Sequence, residues 1–347
     1  MFDPIRPQRT DGAGQDRRDE CWKGSTMNTP ILGLHHVTAI AGDPQRNIDF
    51  YAGVLGLRLV KKTVNFDDPG TYHLYYGDGI GSPGTIMTFF PWPRVRQGVL
   101  GAGQTSATAF AVPEKSLEFW RQRLAESLVR TRDVERFGVP TLAFFDGDGL
   151  PLELRASVRS NDGRTPWGGA DVPAEFAIRG LDGVTLLHSN GEATRGLLEQ
   201  AMGFRQVAVD ADTIRFESGE GGSGTFVDLH GDANAPLGNV AGGSVHHVAF
   251  RVADDEAQAT WMRRLVEAGH PTTGVKDRQY FHSVYYYEPG GVLFELATDN
   301  PGFATDETVE QLGSTLQLPP WLEPHRNRIE NALPALETTV DEAEEVA

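Results

Sequence analysis

Four stretches of this chain follow one pattern, and that repetition limits the fold more than any other feature. The first runs through His35-His36-Val37-Thr38-Ala39-Ile40, then Asp43-Pro44 as a helix cap and first helical residue. Ile48, Tyr51 and Leu55 follow at helical spacing, and Gly56 closes the turn. The second begins Ser106-Ala107-Thr108-Ala109-Phe110-Ala111-Val112 and carries Leu117, Trp120 and Leu124 on its helix. The third begins Gly183-Val184-Thr185-Leu186-Leu187, and its Met202-Gly203-Phe204-Arg205 matches Leu55-Gly56-Leu57-Arg58. The fourth begins His246-His247-Val248-Ala249-Phe250, with Trp261 and Leu265 on the helix and Gly269 after it. Each helix leads into short strand-like runs joined by Gly/Pro turns such as Ser82-Pro83-Gly84 and Pro289-Gly290-Gly291, so the unit reads βαβββ. Aligning positions 36, 107, 183 and 247 gives spacings of 71, 76 and 64 residues. The expected fold is α+β: four βαβββ modules paired into two curved, mostly antiparallel, barrel-like sheets.

In sequence order, modules 1 and 2 give an N-terminal domain over 31–165, and modules 3 and 4 a C-terminal domain over 175–325. Residues 1–27 lack hydrophobic periodicity and read as a disordered extension, with the functional start close to Met27. The segment 337–347 reads as an acidic tail, so part of the net charge of −17 says nothing about a site. That charge excludes a nucleic-acid footprint, which needs a basic face. No apolar run approaches the roughly 20 residues that span a bilayer, and the N-terminus has no signal-peptide core. One cysteine, Cys21, forms no internal disulfide, which together with the missing leader makes the expected location cytoplasmic.

Two strands bear His-His pairs, and the fourth module ends in Gly290-Gly291-Val292-Leu293-Phe294-Glu295. Side chains alternate along a strand, so His36 shares a face with Thr38, His247 with Ala249, and Glu295 with Leu293 and Ala297. His36 and His247 occupy one position in their copies, and Glu295 lies on the last strand of His247's own module. Two histidines and one carboxylate with open positions suit non-haem Fe(II) and oxygen chemistry, although Zn(II) accepts the same donors. By the same alternation His35 and His246 point to the opposite face. Ala107 and Gly183 replace the histidine in the middle copies, so the acids Glu153 and Asp228 there read as structural or surface residues. The matching acid position of the first copy is Thr88.

These stretches, together with Tyr72-His73-Leu74-Tyr75-Tyr76, Gly81-Ser82-Pro83-Gly84-Thr85, Asp277-Arg278 through Glu295, and Asn300-Pro301-Gly302-Phe303, resemble the vicinal-oxygen-chelate superfamily. That superfamily includes glyoxalase I, fosfomycin-resistance proteins and extradiol dioxygenases, and the likeness is nearest to its (chloro)hydroquinone ring-cleaving dioxygenases, over about residues 31 to 325. The resemblance implies iron ligands at His36, His247 and Glu295, and functional neighbours at His35, Arg278 and Tyr285. Thr38 joins them as a hydroxyl on the face of His36. It further implies Fe(II), with Mn(II) next, O2 as co-substrate and a small aromatic diol as substrate. His73 and His282 lie in matching stretches without an assignable role; His188, His230, His270 and His325 read as structural.

Two other classes compete. A glyoxalase-like lyase or isomerase, or a fosfomycin-type thiol transferase, uses the same scaffold. Glyoxalase I takes a fourth protein ligand where this chain has Thr88, and the small transferases are not single four-module chains. A binding-only module is the weakest reading, because the triad is present. Homo-oligomerisation is left open by the sequence.

Overall fold

A computed structural model describes residues 29–158, 163–168 and 171–337. The expected extension over 1–27, Cys21, and all of the acidic tail except Glu337 lie outside these described residues. The first module comprises β1 (Leu34–Ala41), β2 (Arg58–Asn65), β3 (Asp68–Gly77) and β4 (Ile86–Pro91); the second β5 (Gln104–Pro113), β6 (Arg132–Arg136), β7 (Val139–Phe145) and β8 (Pro151–Val158). The third has β9 (Gly180–His188), β10 (Arg205–Asp210), β11 (Thr213–Glu217) and β12 (Phe226–Gly231). The fourth has β13 (Ser244–Val252), β14 (Lys276–Asp277), β15 (Phe281–Tyr287) and β16 (Leu293–Pro301). One helix follows the first strand of each module: α1 (Pro44–Ile48), α2 (Leu117–Glu126), α3 (Glu192–Gly196) and α4 (Asp255–Glu267), with α5 (Arg326–Ala332) near the end.

The strands form two eight-stranded sheets, ordered β14-β15-β16-β13-β1-β4-β3-β2 and β10-β11-β12-β9-β5-β8-β7-β6. Modules therefore do not pair in sequence order. The first pairs with the fourth and the second with the third, so the expected domains over 31–165 and 175–325 each contribute half of both sheets. The repeat spacing reports modules but not partners; the antiparallel junctions β1–β13 and β5–β9 set the pairing. Two linkers carry the chain across and back, lying side by side with bridges between Gln97 and Gly242, Val99 and Asn239, and Ala102 and Leu237. Their approach is close enough that a Cβ on Gly101 would sit 2.3 Å from the Pro236 carbonyl oxygen.

Inside each module the last strand returns to lie parallel beside the first, as β4 does to β1 and β16 to β13. The helices cover one face of each sheet, and apolar residues of that face (Val37, Ala39, Leu74, Phe89) merge with Trp120, Trp261 and Leu265 into the main core. Asp43 caps α1 by accepting the Arg46 amide at 2.9 Å. The spacing then departs from expectation: α1 widens into a π-turn segment over Asp49–Val54, and α3 into another over Leu197–Ala201. On the concave face of the first sheet, Phe303 and Leu312 from the C-terminal segment join Val60, Ile86, Tyr280 and Phe281 in a second core that closes one end of the trough. None of the described helices is long and apolar enough to cross a membrane.

Candidate metal centre

Strand register confirms the alignment of the copies. Two residues beyond His36, Thr38 sits opposite Thr88; two beyond His247, Ala249 sits opposite Glu295. In the other sheet Ala109 faces Glu153 and Thr185 faces Asp228. Because β1 and β13 are neighbours, with Thr38 across from His247, the two histidines meet at the middle of the first sheet.

His36 Nε2 lies 3.2 Å from His247 Nε2 and 3.4 Å from Glu295 Oε2, and His247 Nε2 lies 2.9 Å from that oxygen. The three side chains are almost inaccessible, at 2%, 4% and 0% exposed. Among the described residues this is the one group of histidine, cysteine and acidic side chains whose donor atoms converge to hold a metal ion.

The surroundings fix which atoms are donors. His35 Nε2 lies 3.1 Å from the Thr298 carbonyl oxygen, which can only accept, so His35 carries its proton there. Its Nδ1, 2.8 Å from His36 Nδ1, must then accept, and His36 Nε2 is left with a lone pair. The fourth module repeats the contact, with His246 Nδ1 2.8 Å from His247 Nδ1. Burial, then the adjacent histidine of the triad, lowers both His35 and His246 to about 3, which keeps them neutral acceptors. On the third member of the triad, Ser283 donates to Glu295 Oε1 at 2.5 Å, while Oε2 has no hydrogen-bond partner of acceptable geometry. Burial would raise the Glu295 carboxyl, but His36 and His247 outweigh it and hold the group well below its usual range. Two imidazole Nε2 atoms and a carboxylate oxygen directed at one point are an arrangement that a divalent cation satisfies.

The opposite-face expectation for His35 and His246 is incorrect. Register shifts occur between Leu34 and His36 on one strand and between His247 and Val245 on the other, so both residues are the extra member of a β-bulge. A bulge re-aims the side chain it inserts, and here it turns each histidine back onto its neighbour's ring. His35 therefore stands behind His36 with both nitrogens engaged.

The walls of the site come from β3 and β15. Tyr285 pairs in register with Glu295 and packs against the His247 ring at 5.5 Å. Arg278 Nε donates to the Tyr285 hydroxyl at 3.3 Å. Burial and Glu295 raise the Tyr285 phenol well above its ordinary value against the opposing pull of Arg278, so it keeps its proton. Opposite, Tyr75 and His73 Nδ1 are 2.8 Å apart, His73 Nε2 and Thr88 Oγ1 2.5 Å, and Thr88 and Thr38 hydroxyls 3.3 Å. Thr38 is thus enclosed beside the triad, and His73, unassigned from sequence, lines the wall. His282 is outside the site, paired with Asp255 at 2.6 Å. Ser283 and His73 were missed as functional candidates; Ser283, two residues before Tyr285 on one strand face, was findable by alternation.

The second sheet holds a different cation at the equivalent place. Arg155, 1% exposed, reaches Glu153 at 2.8 Å, Asp228 at 3.0 Å and Asp182 at 3.4 Å. Arg215 also pairs with Asp228, at 2.7 Å. Asp182 is the bulged residue of β9, the counterpart of His35. A guanidinium thus occupies the ground that the triad reserves in the other sheet.

The Glyoxalase/Bleomycin resistance protein/Dioxygenase superfamily matches residues 33–112 and 109–296. MhqO of Bacillus subtilis (strain 168), provisionally named a ring-cleaving dioxygenase, is 48% identical over 310 residues, covering 88% of this chain and 97% of its own. The chlorohydroquinone/hydroquinone 1,2-dioxygenase of Sphingobium indicum is 37% identical over 304 residues, 84% of this chain and 93% of its own. A crystal structure from Bacillus subtilis subsp. subtilis str. 168, provisionally described as a dioxygenase, superposes with a TM-score of 0.85 at 47% identity, covering 88% of this chain and 98% of that one. Glyoxalase I from Zea mays, 16% identical with a TM-score of 0.58 over 77% of this chain and 92% of its own, shares the fold.

Proposed function

Because this chain belongs to the Glyoxalase/Bleomycin resistance protein/Dioxygenase superfamily, and within it to the ring-cleaving dioxygenases, we propose that it cleaves hydroquinones or related aromatic diols in an Fe(II)-dependent, extradiol-type reaction. The observation that carries this reading is the convergence of His36 Nε2, His247 Nε2 and the unpartnered Glu295 Oε2, with no fourth protein donor at Thr88. Held by these three residues, Fe(II) would supply the electronic coupling between an electron-rich ring and dioxygen. Mn(II) fits the same donors.

The protein's own groups bind and orient. Arg278 donates to the Tyr285 oxygen, which frees the phenolic hydrogen to donate to a substrate oxygen at the triad. The guanidinium beside it favours the anionic form of that oxygen, so Arg278 and Tyr285 together stabilise charge that develops as the diol loses its proton. His35 and His246 hold the ligand rings in the metal-binding tautomer, and Thr38 with Thr88 and His73 completes a polar wall. Burial of the triad excludes bulk water from the reacting atoms. Both oxygen atoms of O2 enter the product as the ring carbon–carbon bond beside the hydroxylated carbon breaks, so the reaction requires no external reductant. The name of the Sphingobium relative supports a hydroquinone as the diol.

A glyoxalase-like reaction is disfavoured by Thr88, whose hydroxyl is engaged by His73 and Thr38 where that reaction would use a ligand. The test is oxygen uptake by anaerobically Fe(II)-reconstituted protein with hydroquinone, chlorohydroquinones, methylhydroquinone and catechol. Iron-dependent uptake with loss of aromatic absorbance is expected. Iron-loaded protein inert to every diol would overturn the reading.

A further inference from the structure

A triad this deeply buried needs a route by which a metal ion and a ring can reach it. The half-buried residues around it are His73 and Phe90 on the side of β3, and His246, Tyr285 and Arg278 on the other. The Phe90 and His246 rings meet across the two sides at 5.7 Å, and an ion pair also spans them. Arg278 Nη1 donates to Asp67 Oδ2 at 3.0 Å, joining residues 211 positions apart in the chain.

Both ends of this contact are built. Asp67 sits in the β2–β3 turn, where its amide donates to Asn65 Oδ1 at 3.0 Å. Arg278 sits in the β14–β15 turn, where its amide donates to the Phe281 carbonyl at 3.0 Å, and Asp277 accepts the Gln279 amide at 2.7 Å. Phe281 in turn packs against the rings of His35 and His36, at 5.0 Å from each. The Arg278 turn is therefore continuous with the site, and the Asp67 turn leads into the strand that carries His73. The second sheet closes its trough at the corresponding turns by other means. There the Phe137 amide donates to the exposed Asp210 at 3.1 Å, and Arg215, itself paired with the buried Asp228, stacks 4.1 Å from the Phe137 ring. The first sheet uses an ion pair whose acid is 75% exposed. Such pairs are weak and screened by salt, which suits a contact that must open repeatedly.

We propose that the Asp67–Arg278 ion pair is the gate of the metal centre: closed, it bridges the two walls and holds Arg278 against Tyr285; open, it admits metal and aromatic substrate. Asp67 is thereby a positioning residue that acts through Arg278. The gate rests on the reading of the triad as a metal site that takes an aromatic ligand, but its primary test needs neither oxygen nor turnover.

The experiment measures how fast excess EDTA strips Co(II) from the loaded protein, at low and high sodium chloride, for the parent, Asp67→Asn and Asp67→Glu. An exposed pair of this kind shifts the opening equilibrium by up to about fivefold. Asp67→Asn is expected to lose metal about two to five times faster than the parent at low salt, and to be insensitive to salt. In the parent, added salt raises the rate towards that of the variant, and Asp67→Glu restores slow, salt-sensitive release. Equal rates for parent and Asp67→Asn, or equal acceleration of both by salt, would overturn the gate. In turnover the gate predicts a fall in kcat with an unchanged or lower KM for Asp67→Asn, because Arg278 spends less time on Tyr285. Co(II) release that follows these expectations in a protein inert to all diols would refute the ring-cleavage reading and leave the gate standing.

Discussion

Replacing His35 with phenylalanine isolates what a hydrogen bond behind a ligand contributes to metal affinity. The ring volume is kept, but the acceptor 2.8 Å from His36 Nδ1 is lost. Without metal, His36 can move its proton to Nε2 and share it with Glu295 Oε2, 3.4 Å away, so the metal-free form has an escape. With metal on Nε2 the proton must stay on Nδ1, buried and facing a hydrocarbon ring. A stranded buried donor costs about 1–3 kcal/mol, and that cost falls on the bound form alone. At about 1.4 kcal/mol per tenfold, the expected loss is about 5- to 150-fold in affinity, and supporting partners of metal-bound histidines typically contribute about 10- to 100-fold. His35→Asn, which returns an acceptor oxygen near the Nδ1 position, is expected to recover most of it. The assay is anaerobic competition for Fe(II), and separately Zn(II), against a chromophoric chelator, with circular dichroism to establish that each variant is folded. A folded His35→Phe protein with parental affinity, or a His35→Asn protein as weak as His35→Phe, would refute the tautomer argument.

Three further outcomes are expected. Tyr285→Phe keeps the full metal content by elemental analysis but lowers turnover at least tenfold, and Arg278→Met in the same background adds little because the two groups act as a pair. Arg155→Met leaves Glu153, Asp182 and Asp228 buried with too little positive charge, so urea unfolding should show a loss of about 3–5 kcal/mol; a change below about 1 kcal/mol would mean the network relaxes easily. Burial raises the Asp146 carboxyl to about 6, above its ordinary 3.8, so the folded protein holds this proton more tightly than the unfolded chain. Stability from this group is present at low pH and is lost as pH rises through about 4 to 6, on the order of 3 kcal/mol in all, and Asp146→Asn should flatten that window in a pH series of unfolding curves.

The copy arithmetic picked out three residues that the structure brings together where the ladder is regular. His36, His247 and Glu295 were legible because a two-residue period carries each to a defined face, and the same period located Thr88 opposite Thr38. It failed at His35 and His246, where an inserted residue breaks the alternation; nothing in Leu34-His35-His36 or Val245-His246-His247 announces a bulge. The π-turn segments after α1 and α3 escaped for a related reason, since Ile48, Tyr51 and Leu55 fit a helical period although Tyr51 lies within the π segment and Leu55 directly after it. Module partnership depends on which first strands meet, a long-range choice that local pattern does not encode. Arg155 was within reach: it lies two residues beyond Glu153 on β8, hence on the same face as an acid whose partner needed explaining.

The ordering of modules has a consequence during synthesis. The strands β5 to β12 are contiguous in the chain, so the second sheet can assemble, with Arg155 as its own fixed charge, as soon as β12 has left the ribosome. The first sheet cannot, because His247 is made 211 residues after His36 and Glu295 later still. Until β13 emerges, β1 offers one histidine pair alone, and until β16 emerges the carboxylate of the three-residue group is still missing. The three donors therefore converge only in chains completed through β16, and products terminated earlier lack the full group.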